Sequence, residues 1–378
     1  MFTKIVQVVI FKMVSKKKIL TVVGARPQFI KSIPVSDEIL KSKKLEEVVV
    51  NTGQHFDFAM SEIFFQELGA TPPQRNLGVH GGSHAEMTGK MLVALESTML
   101  IEKPSLVLVY GDTNSTLAGA LCAAKLGIPI GHVEAGVRSW NRDMPEEINR
   151  VVTDQLSDIL FAPTDSAVEN LKKEGKTLEQ IHSVGDVMFD AALRVAPDRQ
   201  RVENVTAKLG LEPRNYVVVT IHRAENTIDD DRLSRIVESV LALSREVPVI
   251  WPVHPRIKIT IDKLMSSLVG AYPNLTITGP VGYVDFASLI SGARCVATDS
   301  GGLQKEAFFH GVSCITLRKE TEWPELVDAG WNLLVNVDEE LNLHEKILRA
   351  EELVKLECDH FGRGNASRNI VEVLGNSL

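Results

Sequence analysis

Short apolar runs recur along the chain, and nearly every one ends in a turn rich in Gly, His or acid that leads into a helical stretch. Ile19 to Val23 ends in Gly24-Ala25-Arg26-Pro27, and Pro27 suits the first position of a helix reaching about Lys41. Val48-Val49-Val50 reads as a second strand, and an amphipathic helix from about His84 to Glu102 leads to the strand Leu106 to Tyr110. A helix near Thr116 to Leu126, a strand at Pro129 to Val133 and a helix from Pro145 to about Ser157 follow. Such alternation predicts parallel sheets with helices on both faces. The pattern restarts near residue 190, with strands at Val217 to Ile221, Val247 to Val253, Leu275 to Thr278, Ala293 to Thr298 and Ser313 to Leu317, and a helix from Asp230 to Ser244. The polar stretch Pro197 to Pro213 reads as the linker. Two doubly wound α/β units in tandem leave a cleft, and ligands of such sheets lie beyond the carboxyl ends of the strands. No GxGxxG follows the first strand, which counts against a dinucleotide-binding unit.

Composition narrows the partners. A net charge of -8 and a chain of 378 residues argue against nucleic-acid binding and allow two cores. The cysteines Cys122, Cys295, Cys314 and Cys358 show no CxxC spacing, so no metal site is expected; the first three sit in apolar segments typical of a reducing compartment. No apolar run approaches the roughly 20 residues that span a bilayer, and a cytoplasmic protein is expected. In residues 1–17 the Lys16-Lys17-Lys18 cluster follows the apolar run, the wrong polarity for a secretory signal; this segment reads as an extension ahead of the first core strand.

Chemistry concentrates at the strand ends. Asp299-Ser300-Gly301-Gly302-Leu303-Gln304-Lys305-Glu306 follows an apolar strand and opens a helix. Its glycines let anionic oxygens reach amide N–H groups at the positive helix terminus, and Glu306, one turn in, can accept from two ribose hydroxyls. The octapeptide alone reads equally well as an ordinary Gly-rich turn. Arg26, Gln54-His55, Asp112, Glu134, His222 and His254 each close a strand and are expected to face one cleft. Singly, each has a plain reading: Asp112 as a helix cap, Glu134 as a loop carboxylate, Glu146 as an acid at a helix start, His222 as a surface histidine. Jointly, Asp112, Glu134, Glu146 and a histidine beside an anion cradle suggest acid–base chemistry on a phosphorylated ligand.

The order of these motifs resembles the non-hydrolysing UDP-N-acetylglucosamine 2-epimerases from Lys18 onward. The resemblance rests on Gly24-Ala25-Arg26-Pro27 with Lys31, Gly111-Asp112-Thr113, His132-Val133-Glu134-Ala135-Gly136, Pro145-Glu146-Glu147-Ile148-Asn149-Arg150, His222-Arg223, Pro252-Val253-His254 and Asp299-Ser300-Gly301-Gly302 with Glu306. It implies two Rossmann-like domains in a glycosyltransferase-B-like pair, residues 18–195 and 196–360, with a helix in 361–378 crossing back to the first. It also implies a homodimer and no redox cofactor. The implied reaction on a UDP-sugar removes the C2 proton as UDP leaves C1, then adds UDP back to the glycal. Asp112, Glu134 and Glu146 look like the acid–base carboxylates, the base itself unassigned. His222 looks like the group easing UDP departure; Arg26, Lys31, His254, Ser300, Gly301, Gly302 and Glu306 look like the nucleotide-holding set.

Departures from the family pattern include Phe56-Asp57 after the Gln-His pair, Gly78 to Gly82, and Trp323 where an arginine is frequent. The first two of these lead to the expectation of weak or absent activation by a second substrate molecule. The sequence is also similar to a sister group acting on UDP-2,3-diacetamido-2,3-dideoxyglucuronate. Arg142 is a candidate partner for that sugar's carboxylate, or else a solvated loop arginine. A sugar transferase on the same architecture and a non-catalytic binding protein stay as alternatives.

Overall fold

The computed structural model describes residues 16–54, 68–253, 257, 258, 260, 261, 272–340 and 342–378. Among these, residues 17–183 supply β1 (Lys17–Val23), β2 (Leu45–Asn51), β3 (Arg75–Asn76), β4 (Leu106–Tyr110), β5 (Ile130–Val133), β6 (Ile159–Ala162) and β7 (Ile181–Ser183). Residues 217–334 supply β8 (Val217–Thr220), β9 (Val249–Pro252), β10 (Leu275–Thr278), β11 (Cys295–Thr298), β12 (Ser313–Thr316) and β13 (Asn332–Leu334). The strand orders are β3-β2-β1-β4-β5-β6-β7 and β10-β9-β8-β11-β12-β13, and the pairs are parallel. Both are doubly wound, with the order reversing between β1 and β4 in one sheet and between β8 and β11 in the other.

Central strands run apolar on both faces because helices cover both. Leu106, Val107, Leu108, Val109 and Tyr110 are all fully buried, with Leu106, Leu108 and Tyr110 packing on one face and Val107 and Val109 on the other. The helix His84–Glu102 starts where Ser83 accepts from the Glu86 N–H at 3.2 Å. Pro27 and Pro145 occupy the first turns of Arg26–Lys41 and Pro145–Leu156, where a missing N–H costs nothing.

The expected linker differs from the sequence reading. Residues 199–207 form the helix Arg199–Ala207, capped by Asp198, which accepts from the Arg201 N–H at 2.8 Å. Val202 and Val205 share one helical face and are buried, and Val205 joins Leu211 in the cluster under the second sheet's helices.

The two units also share apolar packing. Phe189 stacks on Phe309 at 4.8 Å between centroids, and Tyr283 and Ala287 join the cluster containing Phe29 and Val187. The terminal helix Ala366–Ser377 inserts Ile370 and Leu374 into that cluster. Asp190 holds its start by accepting from the Ala366 and Ser367 N–H groups at 3.1 and 2.8 Å. This segment belongs energetically to the first sheet, far away in sequence. Ile370→Ala is expected to lower unfolding free energy by about 2–5 kcal/mol. Leu356→Ala, at a side chain more than half exposed, should change it by less than about 0.5 kcal/mol, both measured by urea titration.

Candidate active site

Because every strand is parallel, the turns leaving β1, β4, β5, β8 and β11 emerge at carboxyl edges, and the two switch points face one cleft. Gly24, at the end of β1, must be glycine: a Cβ there would lie 2.0 Å from Thr52 Oγ1 and 2.2 Å from Ser115 Oγ. Gln28 then ties this turn to the next. Its Oε1 accepts from the Gly24 and Ala25 N–H groups, while its Nε2 donates to the Tyr110 carbonyl at 2.9 Å.

Glu134 follows β5 with a φ of 73°, a left-handed backbone that only glycine adopts at ease. The sharp turn aims its carboxylate at Lys31, with which it pairs directly, and at Lys305 at 3.7 Å. Burial would raise its pKa, but the charges of Lys305 and Lys31 outweigh burial and hold it at about 2. For Lys31, burial opposes the charge, yet Glu134, Asp112 and Asp186 together raise its pKa.

Beneath this turn lies a buried scaffold. His132 presents Nδ1 to Asp154 at 2.6 Å and Nε2 to the Gly111 carbonyl at 2.7 Å. Asp154 also accepts from the Gly136 N–H at 3.0 Å and from Arg138 at 2.6 Å. One imidazole–carboxylate unit therefore braces both turns, the one bearing Asp112 and the one bearing Glu134. His132 closes the strand but points inward to this role, away from the cleft.

Asp112 caps nothing; Thr113 caps the helix Asn114–Lys125, and the Asp112 carboxylate pairs with Arg150. Arg150 also reaches Glu147 at 3.2 Å and Glu322 at 3.9 Å. Glu146 is partly buried in the first turn of Pro145–Leu156, with no ion pair among the described residues. Its neighbour Glu147 is structural, accepting from the Ser139 and Trp140 N–H groups at 2.9 and 3.1 Å.

On the opposite side, buried Asp299 collects the N–H groups of His222 and Arg223, the Asn226 amide and, at 2.9 Å, His222 Nδ1. Burial alone would raise the Asp299 pKa; the His222 hydrogen bond and charge, with Asn226 and Arg223, lower it. The carboxylate thus orients the imidazole at the cleft edge. Ser300 caps the helix Gly301–Phe309, accepting from the Leu303 N–H at 3.4 Å. Trp323 Nε1 donates to the Gly301 carbonyl at 3.0 Å, and Gln304 Nε2 to the Ser300 carbonyl at 3.4 Å, so this helix start is held from both sides. The first N–H groups of such a helix have no intrahelical acceptor and form an anion cradle. Glu306, one turn in, is partly buried; burial raises its pKa to about 7 against the pull of Arg26, Lys305 and Lys31.

Charges interlock across the cleft. Lys305, on the cradle helix, donates to Asp186 at 2.5 Å while lying 3.9 Å above the Trp323 ring. Glu322 binds Arg318 at 2.7 Å and Arg223 at 3.4 Å. Burial would raise the Glu322 pKa, but Arg318, Arg223 and Arg150 hold it at about 2.

The structure therefore brings Asp112, Glu134, Lys31 and Arg26 to the same cleft as Glu306 and the Ser300-Gly301-Gly302 turn. Glu146 lies near but outside the ion-pair chain. Arg142 is exposed and makes no hydrogen bond or ion pair among the described residues. His254, His55, Phe56, Asp57 and residues 1–15 lie outside the described residues. Sequence reasoning missed Lys305, Asp186, Glu322 and Arg318. A lysine beside Glu306 on a helix reads as a solvated charge, and only the fold carries it to Asp186.

Paired doubly wound domains with an anion cradle facing carboxylates define a glycosyltransferase-B-like nucleotide-sugar enzyme. A family profile described as UDP-N-acetylglucosamine 2-epimerase matches residues 37–375, and the chain belongs to that family, whose members are isomerases. Its relatives include the UDP-2,3-diacetamido-2,3-dideoxy-D-glucuronate 2-epimerase of Pseudomonas aeruginosa, 48% identical over 94% of this chain and 99% of that one. The UDP-N-acetylglucosamine 2-epimerase of Methanococcus maripaludis is 42% identical over 94% and 98%. The Methanocaldococcus jannaschii UDP-GlcNAc 2-epimerase, solved with UDP-GlcNAc and UDP, superposes with a TM-score of 0.84 at 39% identity, covering 96% of this chain and all of that one.

The pKa directions have a stability consequence. Glu134 and Glu322 ionise in the fold at about 2, below their ordinary 4.5. The stability they contribute is complete above about pH 4.5 and is lost as pH falls towards 2. Glu322→Gln should destabilise the protein by about 3–5 kcal/mol at pH 7, because buried Arg318 loses its countercharge. Its melting temperature should also fall less than the native protein's between pH 5 and 3, read by calorimetry. Equal slopes would mean that Glu322 does not carry the effect.

Proposed function

We propose that the protein inverts C2 of a UDP-linked 2-acetamido sugar, with UDP-N-acetylglucosamine and UDP-N-acetylmannosamine as the interconverted pair. The observation that carries this reading is the meeting of Glu134, ionised between two lysines, with an anion cradle from the other domain. A sugar transferase requires the cradle but no carboxylate at C2.

A carboxylate from the amino-terminal side takes the C2 proton while the C1–oxygen bond to the diphosphate breaks. The electron pair of the C–H bond becomes the C1=C2 bond of the glycal, and the pair of the C–O bond leaves with UDP. Return of the UDP oxygen to C1, with protonation of C2 on the opposite face, gives the epimer. The C2 proton is weakly acidic, so departure of UDP must be assisted. Gly301 and Gly302 amides with His222, oriented by Asp299, receive the diphosphate charge in this reading. Glu306 and Arg26 hold the nucleoside, and Asp112, Glu134 and Glu146 share the acid–base work.

The second reading is the same chemistry on UDP-2,3-diacetamido-2,3-dideoxyglucuronate, favoured by the higher identity to the Pseudomonas enzyme and by exposed Arg142 near the cleft. Kinship with the family supports a homodimer acting in the cytoplasm and supplying an activated sugar for polysaccharide assembly.

Incubation of each sugar nucleotide in heavy water separates these readings. The true substrate gains deuterium at C2, and the absence of exchange in both would refute epimerisation. Asp112→Asn and Glu134→Gln should each lower turnover by roughly 10²-fold or more with UDP binding largely retained. Glu306 adds a pH test, because its ionised carboxylate is the better ribose acceptor. UDP-N-acetylglucosamine should bind Glu134→Gln protein more tightly as pH rises through about 7, and that dependence should vanish when Glu306→Gln is added.

A further inference from the structure

We propose that Lys305 is a positioning residue for the reaction, a buried charge lent by the nucleotide-side domain that keeps the sugar-side carboxylate Glu134 ionised. The inference rests on the epimerase reading for its catalytic meaning, but its geometry stands alone.

Lys305 sits on the helix Gly301–Phe309, five residues from the amino terminus of the chain's anion cradle at Ser300 and next to Glu306. Its side chain is 1% exposed. The ammonium crosses to the other domain, 2.5 Å from Asp186 and 3.7 Å from Glu134, while Trp323 covers it from behind with the ring centroid 3.9 Å away. A buried lysine in this position has a clear electrostatic task. Glu134 is paired within its own domain with Lys31, and a second cation at 3.7 Å adds attraction from the other domain. Asp186 anchors Lys305 and prevents it from collapsing onto Glu134 as a contact pair.

The arrangement makes the state of the carboxylate depend on the seating of the other domain. If the helix bearing Gly301, Gly302 and Glu306 moves, Lys305 moves with it. Glu134 then keeps Lys31 and the more distant Arg150 but loses a cation. The charged groups around it are Lys31 from Arg26–Lys41, Arg150 from Pro145–Leu156 and Lys305 from Gly301–Phe309, with Asp112, Asp186 and Glu306 facing those cations. Trp323 links the two functions, since its N–H fixes the Gly301 carbonyl and its face supports Lys305.

Carbon-13 carboxyl spectra of the full-length protein, with Glu134 assigned through Glu134→Gln, test this directly. Removing one of two close cations in Lys305→Met should raise the Glu134 titration midpoint by about 1–3 pH units. Lys305→Arg should restore most of the shift. The acid limb of the turnover profile of Lys305→Met should move up by the same amount, so that turnover falls off at a higher pH than in the native protein and recovers as pH rises towards 7. A loss that is the same at every pH, with the Glu134 midpoint unmoved, would overturn the proposal and leave Lys305 as domain glue. Should Lys305→Met fail to fold, Asp186→Asn keeps the helix cap and releases Lys305 towards Glu134. That variant should lower the Glu134 midpoint or leave it in place; an upward shift would contradict the account. If no UDP-sugar exchanges deuterium with the native protein, the epimerase reading fails, while the titration still decides whether Lys305 controls Glu134.

Discussion

Opposite charges delivered from two sheets neutralise one another across a single cleft, and the rest of the site depends on that exchange. Glu134 is the clearest case, an ionised carboxylate between Lys31 of its own domain and Lys305 of the other. Glu322 mirrors it from the opposite side, binding Arg318 and Arg223 of its own domain and approaching Arg150 of the other. Neither carboxylate would stay charged at such burial without these partners. The pairing therefore sets both the protonation state of these two carboxylates and the register in which the two domains meet.

That register has a chemical purpose. A glycal forms only if C2 loses its proton as C1 loses its diphosphate, so base and leaving-group support must lie within one sugar ring of each other. Glu134 and the Ser300-Gly301-Gly302 turn grow from different sheets, at the carboxyl edges next to each switch point. Apolar contacts such as Phe189 on Phe309 and the return of Ala366–Ser377 to the first core hold those edges together. Packing supplies proximity, and the buried ions supply specificity of alignment.

Much of this was legible along the chain where local signals are strong. The helix His84–Glu102 was readable to its ends because a serine cap precedes it and apolar residues recur through it. The turn after β11 was readable as a strand-to-helix junction because a serine cap and two glycines follow an apolar strand. Weak local signals failed. The short strands β6, β7 and β13 borrow their order from neighbours, and the helix Arg199–Ala207 hid within a polar stretch that buries only Val202, Val205 and Thr206. Least legible were pairs such as Lys305 with Asp186 and Arg150 with Glu322, since nothing near either residue announces a partner more than a hundred positions away. The sequence placed Asp112 as a possible cap, whereas Arg150 claims its carboxylate.

The claim on which everything turns is that UDP leaves C1 and returns while held in the cleft. A UDP-sugar carrying oxygen-18 in the bridge between C1 and the β-phosphorus reports that event. During turnover the label should scramble into the non-bridging β-phosphate oxygens as the sugar epimerises, because a departed diphosphate can rotate before it re-adds. Inversion at C2 with the label fixed in the bridge would mean that the C1–oxygen bond never breaks, and would contradict the account.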